Sequence, residues 1–185
     1  QARHRLLMAH GLTFLVGGAR SGKSNLAVTL GAGHDGPVVF IATAEAIDDD
    51  LADRIARHRA ERPDWPTFEV PVDLAGCVRN LPDEALAIVD CLTVWVGNLY
   101  SRQLHTEQRV SMYSDLANAL AGRPGPTIVI SNEVGLGLHP ETAIGREYRD
   151  ELGRLNQQVA AIAHRTLFLV AGRGIRLGDP TEMLS

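Results

Sequence analysis

Gly17-Gly18-Ala19-Arg20-Ser21-Gly22-Lys23-Ser24 fits the pattern G-x-x-x-x-G-K-[ST], in which a glycine-rich turn wraps backbone N–H groups around phosphate oxygens. Just before it, Leu12-Thr13-Phe14-Leu15-Val16 is apolar and β-prone. Just after it, Asn25-Leu26-Ala27-Val28-Thr29-Leu30 reads as helix, with Gly31 as a stop. Strand, loop and helix in that order separate this pattern from an ordinary glycine turn. The helix N-terminus adds the positive end of its dipole. In such a loop Lys23 reaches the β- and γ-phosphates, and the Ser24 hydroxyl holds Mg²⁺. The stretch predicts a nucleoside triphosphate site.

The 185 residues, 45% of them hydrophobic, suffice for one domain with a full core, expected over residues 11–185. Residues 1–10 are basic at first but lack an adequate apolar segment or cleavage site, and they read as a loose N-terminal extension. A net charge of −4 argues against a nucleic-acid partner. Cys77 and Cys91 have no metal or redox spacing, which fits a reducing cytoplasm. No apolar run approaches the roughly 18 residues of a membrane span. His34, His105, His139 and His164 form no ligand spacing.

Residues 38–42 are a continuous β-prone run of the kind buried on both faces of a parallel sheet, and Thr43-Ala44-Glu45 ends it. Ligands of open α/β sheets lie beyond the carboxyl ends of strands, so this tip belongs near the nucleotide. Asp48-Asp49-Asp50 supplies an N-cap and an acidic first turn for a helix to about residue 60, closed by Arg62-Pro63. Leu51 and Ile55 mark its inward stripe, and His58 falls on the same face. From spacing alone, His58 is open between chemistry and a polar group satisfied by a hydrogen bond. Arg59 and Arg62 are equally readable as dipole partners of the helix end.

Residues 67–70 form a short strand and residues 72–81 alternate helically. Residues 85–90 form a buried strand ending in the carboxylate of Asp90, expected beside the strand that enters the phosphate loop. Such an acid either organises Mg²⁺ or caps the next helix. Helical pieces follow over 91–100 and 107–121. A strand over 127–131 ends in Ser131, Asn132 and Glu133, and Gly135 and Gly137 mark a mobile or close-approach loop. Ile144, Tyr148, Leu152, Leu155, Val159 and Ile162 step as one long amphipathic helix, and residues 166–170 are the last clear strand. Five apolar runs separated by helices predict an α/β fold, a mainly parallel sheet with helices on both faces, in the manner of P-loop nucleoside-triphosphatases.

Further segments fall in one order with the phosphate loop: Phe40-Ile41-Ala42-Thr43-Ala44, Arg54-Ile55-Ala56-Arg57-His58-Arg59-Ala60-Glu61-Arg62-Pro63, Val89-Asp90-Cys91-Leu92-Thr93-Val94-Trp95 and Ser131-Asn132-Glu133-Val134-Gly135-Leu136-Gly137. Together they resemble the bifunctional adenosylcobinamide kinase / adenosylcobinamide-phosphate guanylyltransferase family of cobalamin biosynthesis, over residues 12–174. The resemblance implies a RecA-like fold and homotrimers that bind substrate between subunits. It implies phosphorylation of adenosylcobinamide by ATP or GTP, then attack on GTP by a histidine and transfer of GMP to the new phosphate. That histidine falls on His58. The family's GTP contacts fall on Gly17, Gly18, Ala19, Arg20, Ser21, Gly22, Lys23 and Ser24, on Ala42, Thr43 and Ala44, on Arg59, Ala60, Glu61 and Arg62, and on Glu69 and Asp90, with Ser24 and Asp90 at Mg²⁺. His139 stands where a small apolar residue is expected, and no clear family pattern follows Gly174. A plain small-molecule kinase would use Lys23 and Asp90 but leave His58 idle. A GTP-binding switch would lack the acceptor pocket and the covalent step.

Overall fold

The structure is a computed structural model that describes residues 11–45, 59–60 and 62–184. His58, Glu61, the N-terminal extension and most of the expected acid-capped helix lie outside the described residues. Arg59 and Ala60 are helical and exposed.

Seven strands form one sheet: β1 (Leu12–Gly17), β2 (Val38–Ala42), β3 (Thr67–Glu69), β4 (Leu86–Asp90), β5 (Thr127–Asn132), β6 (Arg165–Val170) and β7 (Arg173–Leu177). Their order is β3-β2-β4-β5-β1-β6-β7. All pairings are parallel except that of β7, which returns antiparallel on β6. The helices are α1 (Lys23–Ala32), α2 (Leu74–Arg79), α3 (Leu92–Ser101), α4 (Thr106–Gly122) and α5 (Ala143–Ile162).

Two expectations need correction. The strand ending in Asp90 does not lie beside the phosphate-loop strand, because β5 pairs with β4 on one side and β1 on the other. The long excursion through α3 and α4 lets β5 enter the sheet between strands already laid down. Its side chains suit that place, with Ile128 and Val129 fully buried. The last strand is β7 rather than β6. Every residue of β7 is exposed, and it is held by a backbone ladder to β6 that leaves no buried stripe in the sequence.

Side chains along the central strands alternate between two cores, which is why these strands read as unbroken apolar runs. Leu12, Phe14, Val16, Ile41, Val89 and Val129 face α2, α3, α4 and α5. Leu15, Phe40, Ile88, Ile128 and Ile130 face Leu26, Ala27 and Leu30 of α1, together with Trp65. The sheet therefore carries helices on both faces, as expected. Its strands end together, so Gly17, Ala42, Glu69, Asp90 and Asn132 occupy one edge.

The helical layer has a polar bolt. Arg109, 5% exposed, donates from Nε to Glu151 Oε2 at 3.0 Å and from Nη2 to Glu151 Oε1 at 2.8 Å. Tyr113 donates its hydroxyl proton to the same carboxylate at 2.7 Å, and the guanidinium lies 3.9 Å from the centre of the Tyr100 ring. Burial pushes the Glu151 carboxyl up, but the hydrogen bonds from Arg109 and Tyr113 outweigh it and leave the group below its ordinary range. Arg109 Nη2 also donates to Glu147 Oε1 at 2.6 Å, so removing Glu151 leaves the buried guanidinium with one half-exposed carboxylate in place of two. Glu151→Ala should cost about 3–5 kcal/mol of unfolding free energy in urea titrations. A loss below about 1 kcal/mol, the size of an exposed pair, would show that Glu147 and water satisfy Arg109 without it.

Candidate functional site

The site begins where β1 runs out of room for side chains. A Cβ on Gly17 would lie 2.3 Å from the carbonyl oxygen of Leu169 in β6, so only glycine lets the chain turn there. Arg20 and Gly22 then take left-handed backbone angles, φ +57° and +98°, and α1 starts at Lys23. The turn leaves the N-terminus of α1 open, with no side-chain cap from Gly22. Unpaired N–H groups at such an end suit an anion.

Lys23 is buried at the centre of the loop. Its ammonium donates to Gly17 O at 3.0 Å, Gly18 O at 2.7 Å and Ser21 Oγ at 3.2 Å. Burial lowers its pKa, and the charges of Cys91 and Asp90 oppose the shift. The lysine thus reaches electrostatically across to the tip of β4.

Beside the loop is a cleft of about 370 Å³, lined among the described residues by Ser24, Asn25, Val28 and Thr29 of α1 and by Phe40, Arg62 and Asp90. Its volume falls within the ordinary range for small-ligand sites. The Arg62 guanidinium carbon stands 3.7 Å from the centre of the Phe40 ring, and Nη2 donates to Thr67 Oγ1 at 3.0 Å. Burial lowers the Arg62 pKa, Arg59 adds to the effect and Asp90 opposes it. The Arg62 cation and the Asp90 carboxylate therefore share one half-enclosed space. The capping position of α3 is Cys91, so Asp90 is not that helix's N-cap. Ser24 and Asp90 offer hydroxyl and carboxylate oxygens to the same cleft, a donor chemistry that fits a hard divalent cation.

Thr43 is tied to the tip of β4. It is fully buried, with Oγ1 donating to Cys91 O at 2.8 Å and accepting from the Cys91 N–H at 2.9 Å. Its own N–H donates to Asp90 O at 3.1 Å, and Asn98 Nδ2 donates to Thr43 O at 2.7 Å. The hydroxyl is spent on fixing the β4 tip that carries Asp90. Ala42 is in register with both Glu69 and Asp90, Ala44 follows at the same tip, and Glu69 is exposed at the end of β3. Neither Glu69 nor Arg59 lines the cleft.

Asn25, Val28 and Thr29 complete the lining without having been singled out by motif, together with Phe40, which entered only as the first residue of a family segment. Val28 lies four residues after Ser24, so helical spacing was a usable signal; the inward turn of Phe40 depends on sheet packing. The polar end of β5 also joins the site. Glu133 donates its N–H to Gly17 O at 3.0 Å, Asn132 donates its N–H to Thr93 Oγ1 at 2.8 Å, and Asn156 Nδ2 donates to Asn132 O at 3.0 Å. Cys91 is no nucleophile in waiting. Burial first, and the neighbouring Asp90 second, push its thiol up to about 11.

The family profile of cobinamide kinase / cobinamide phosphate guanyltransferase matches residues 13–177. The bifunctional adenosylcobalamin biosynthesis protein CobP of Pseudomonas aeruginosa is 42% identical over 173 residues, covering 90% of this chain and 97% of that protein. CobU of Escherichia coli K12 is 32% identical over 180 residues, covering 90% and 99%. Among solved structures, the RadB recombinase superposes with a TM-score of 0.51 at 16% identity, covering 87% of this chain and 75% of that one. The type III secretion ATPase EscN of enteropathogenic E. coli superposes at 0.53 with 14% identity, covering 88% and 43%. At these identities the structural likeness speaks for the fold alone, a RecA-like P-loop sheet.

Lys23→Ala should lower nucleotide-dependent turnover by on the order of a hundredfold or more, the scale of one lost charge-assisted contact to a reacting group. Initial rates of the purified variant, with circular dichroism to verify folding, check this. Near-normal rates in a folded variant would remove the loop from the chemistry.

Proposed function

Because the chain belongs to the cobinamide kinase / cobinamide phosphate guanyltransferase family, we propose that it phosphorylates adenosylcobinamide with ATP or GTP and then transfers GMP from GTP through His58, giving adenosylcobinamide-GDP. The observation that carries this reading is the convergence of Ser24, Arg62 and Asp90 on one cleft at the carboxyl edge of the sheet, beside a phosphate loop with Lys23 buried at its centre.

In the first transfer the loop N–H groups and the Lys23 ammonium hold the β- and γ-phosphates, while the aminopropanol hydroxyl of the acceptor attacks the γ-phosphorus. The bond from that phosphorus to the β,γ-bridging oxygen breaks, the nucleoside diphosphate leaves with the electron pair, and the hydroxyl proton passes to solvent. The work is positioning and charge stabilisation. Ser24 and Asp90 would hold Mg²⁺, which when bound offsets negative charge on the phosphates. In the second transfer the neutral imidazole of His58 attacks the α-phosphorus of GTP. An N–P bond forms, the bond between the α-phosphorus and the bridging oxygen breaks, and pyrophosphate leaves with that electron pair. Lys23 and the loop stabilise the leaving charge. A phosphate oxygen of adenosylcobinamide phosphate then attacks the same phosphorus and restores His58. Arg59, next to His58 in sequence, and Arg62, four residues on, offset charge at the α-phosphate in this reading.

Residues 11–185 act in this reading as one catalytic domain. It further takes the enzyme to be a cytoplasmic homotrimer with the acceptor bound between subunits. No helix among the described residues is long and apolar enough to cross a membrane.

His58→Ala should separate the two reactions, abolishing the GDP product while adenosylcobinamide phosphate still accumulates. Alanine keeps helix propensity, so the fold should survive. With α-labelled GTP and no acceptor, the wild-type chain should carry acid-labile label and the variant none. A folded variant that still yields labelled protein and GDP product would place the nucleophile elsewhere, and equal loss of both products would make His58 a residue of the shared site.

A further inference from the structure

The turn between β6 and β7 takes no part in the family motifs, yet it touches the phosphate loop. Ala171 and Gly172 both have positive φ, +50° and +73°, and they join strands whose register closes with Val170 opposite Arg173. This is the backbone of a two-residue hairpin of type I′. Its second residue donates its N–H to the carbonyl oxygen of Ser21 at 2.9 Å. At the same point a Cβ on Gly22 would lie 3.2 Å from the Cα of Gly172, so the two backbones meet with no side chain between them.

We infer that this turn is a positioning element of the nucleotide site, with the Gly172 N–H holding the Ser21 carbonyl outward so that the loop presents its N–H groups to phosphate. In a planar trans peptide the C=O and the following N–H point in opposite directions. Tying Ser21 O to the turn therefore aims the Gly22 N–H the other way. Without that bond the peptide could rotate and turn a carbonyl, the wrong end of the dipole, toward an anion. The Glu133 N–H holds Gly17 O in the same manner from the β5 side, so the loop is clamped at both ends. Such a cradle keeps a bound triphosphate in one position for either transfer, and the effect reaches phosphate rather than the base.

The inference rests on the reading of the loop as a nucleotide site, and its test separates the two. A Cβ at position 172 meets nothing within 4 Å, so substitutions there act through the backbone angle rather than a clash. Asparagine accepts positive φ far more readily than a β-branched residue. Calorimetric titration of the full chain with Mg²⁺ and α,β-methylene GTP, then α,β-methylene ATP, reads the effect. Gly172→Val should bind both analogues roughly tenfold more weakly, the scale of one lost hydrogen bond. Gly172→Asn should bind within about twofold of wild type, because it retains the donor and the angle. If Gly172→Val does not fold, Gly172→Ala replaces it, and binding weaker than that of Gly172→Asn is the required result. Valine or alanine variants that bind like wild type, or an asparagine variant equally weakened, overturn the turn's role. A wild-type chain that binds neither analogue overturns the nucleotide reading itself.

Discussion

The carbonyl oxygen of Gly17 accepts two hydrogen bonds, one from the Lys23 ammonium and one from the Glu133 N–H. Through it the end of β1, the start of α1 and the exit of β5 are tied at one point. No side chain fits at Gly17, because the Leu169 carbonyl occupies the place a Cβ would take. The loop is therefore built from backbone pressed on backbone. Its lysine donates to the loop's own oxygens, so the buried ammonium is hydrogen-bonded within the cradle.

The rest of the molecule serves to hold strand tips in place around that point. With β5 between β1 and β4, the phosphate loop and Asp90 are one strand apart, and the cleft opens over α1 on the same edge. Thr43 stitches the tips of β2 and β4 together, while Tyr148 and Asn156 of α5 hold Thr93 beyond β4 and Asn132 at the end of β5. The Arg109–Glu151 bolt fastens α4 to α5, which carries these contacts. A chain of directional bonds thus runs from the helical layer to the phosphate loop.

The α/β class and the five apolar strands are legible in the sequence because strands buried on both faces must be apolar throughout. The phosphate loop is legible because glycine and lysine at that spacing serve one geometry. Strand adjacency is not, since the sequence carries no mark of where a crossover re-enters the sheet. Nor is β7, whose exposed residues leave backbone pairing to hold it. In the site, Lys23, Ser24 and Asp90 follow from motif, whereas the Arg62–Phe40 contact is a product of folding. The hydroxyl of the fully buried Thr43 bonds the backbone of Cys91, a structural role that the segment's sequence does not announce.

Whether one phosphate cradle serves both transfers is tested most directly by counting the nucleotides that one chain holds. Equilibrium dialysis with Mg²⁺ and labelled α,β-methylene GTP, without the corrinoid acceptor, keeps both chemistries silent. One phosphate loop predicts one bound analogue per chain, displaced in full and competitively by α,β-methylene ATP. Two analogues per chain, or GTP and ATP analogues bound together, would contradict a single shared cradle.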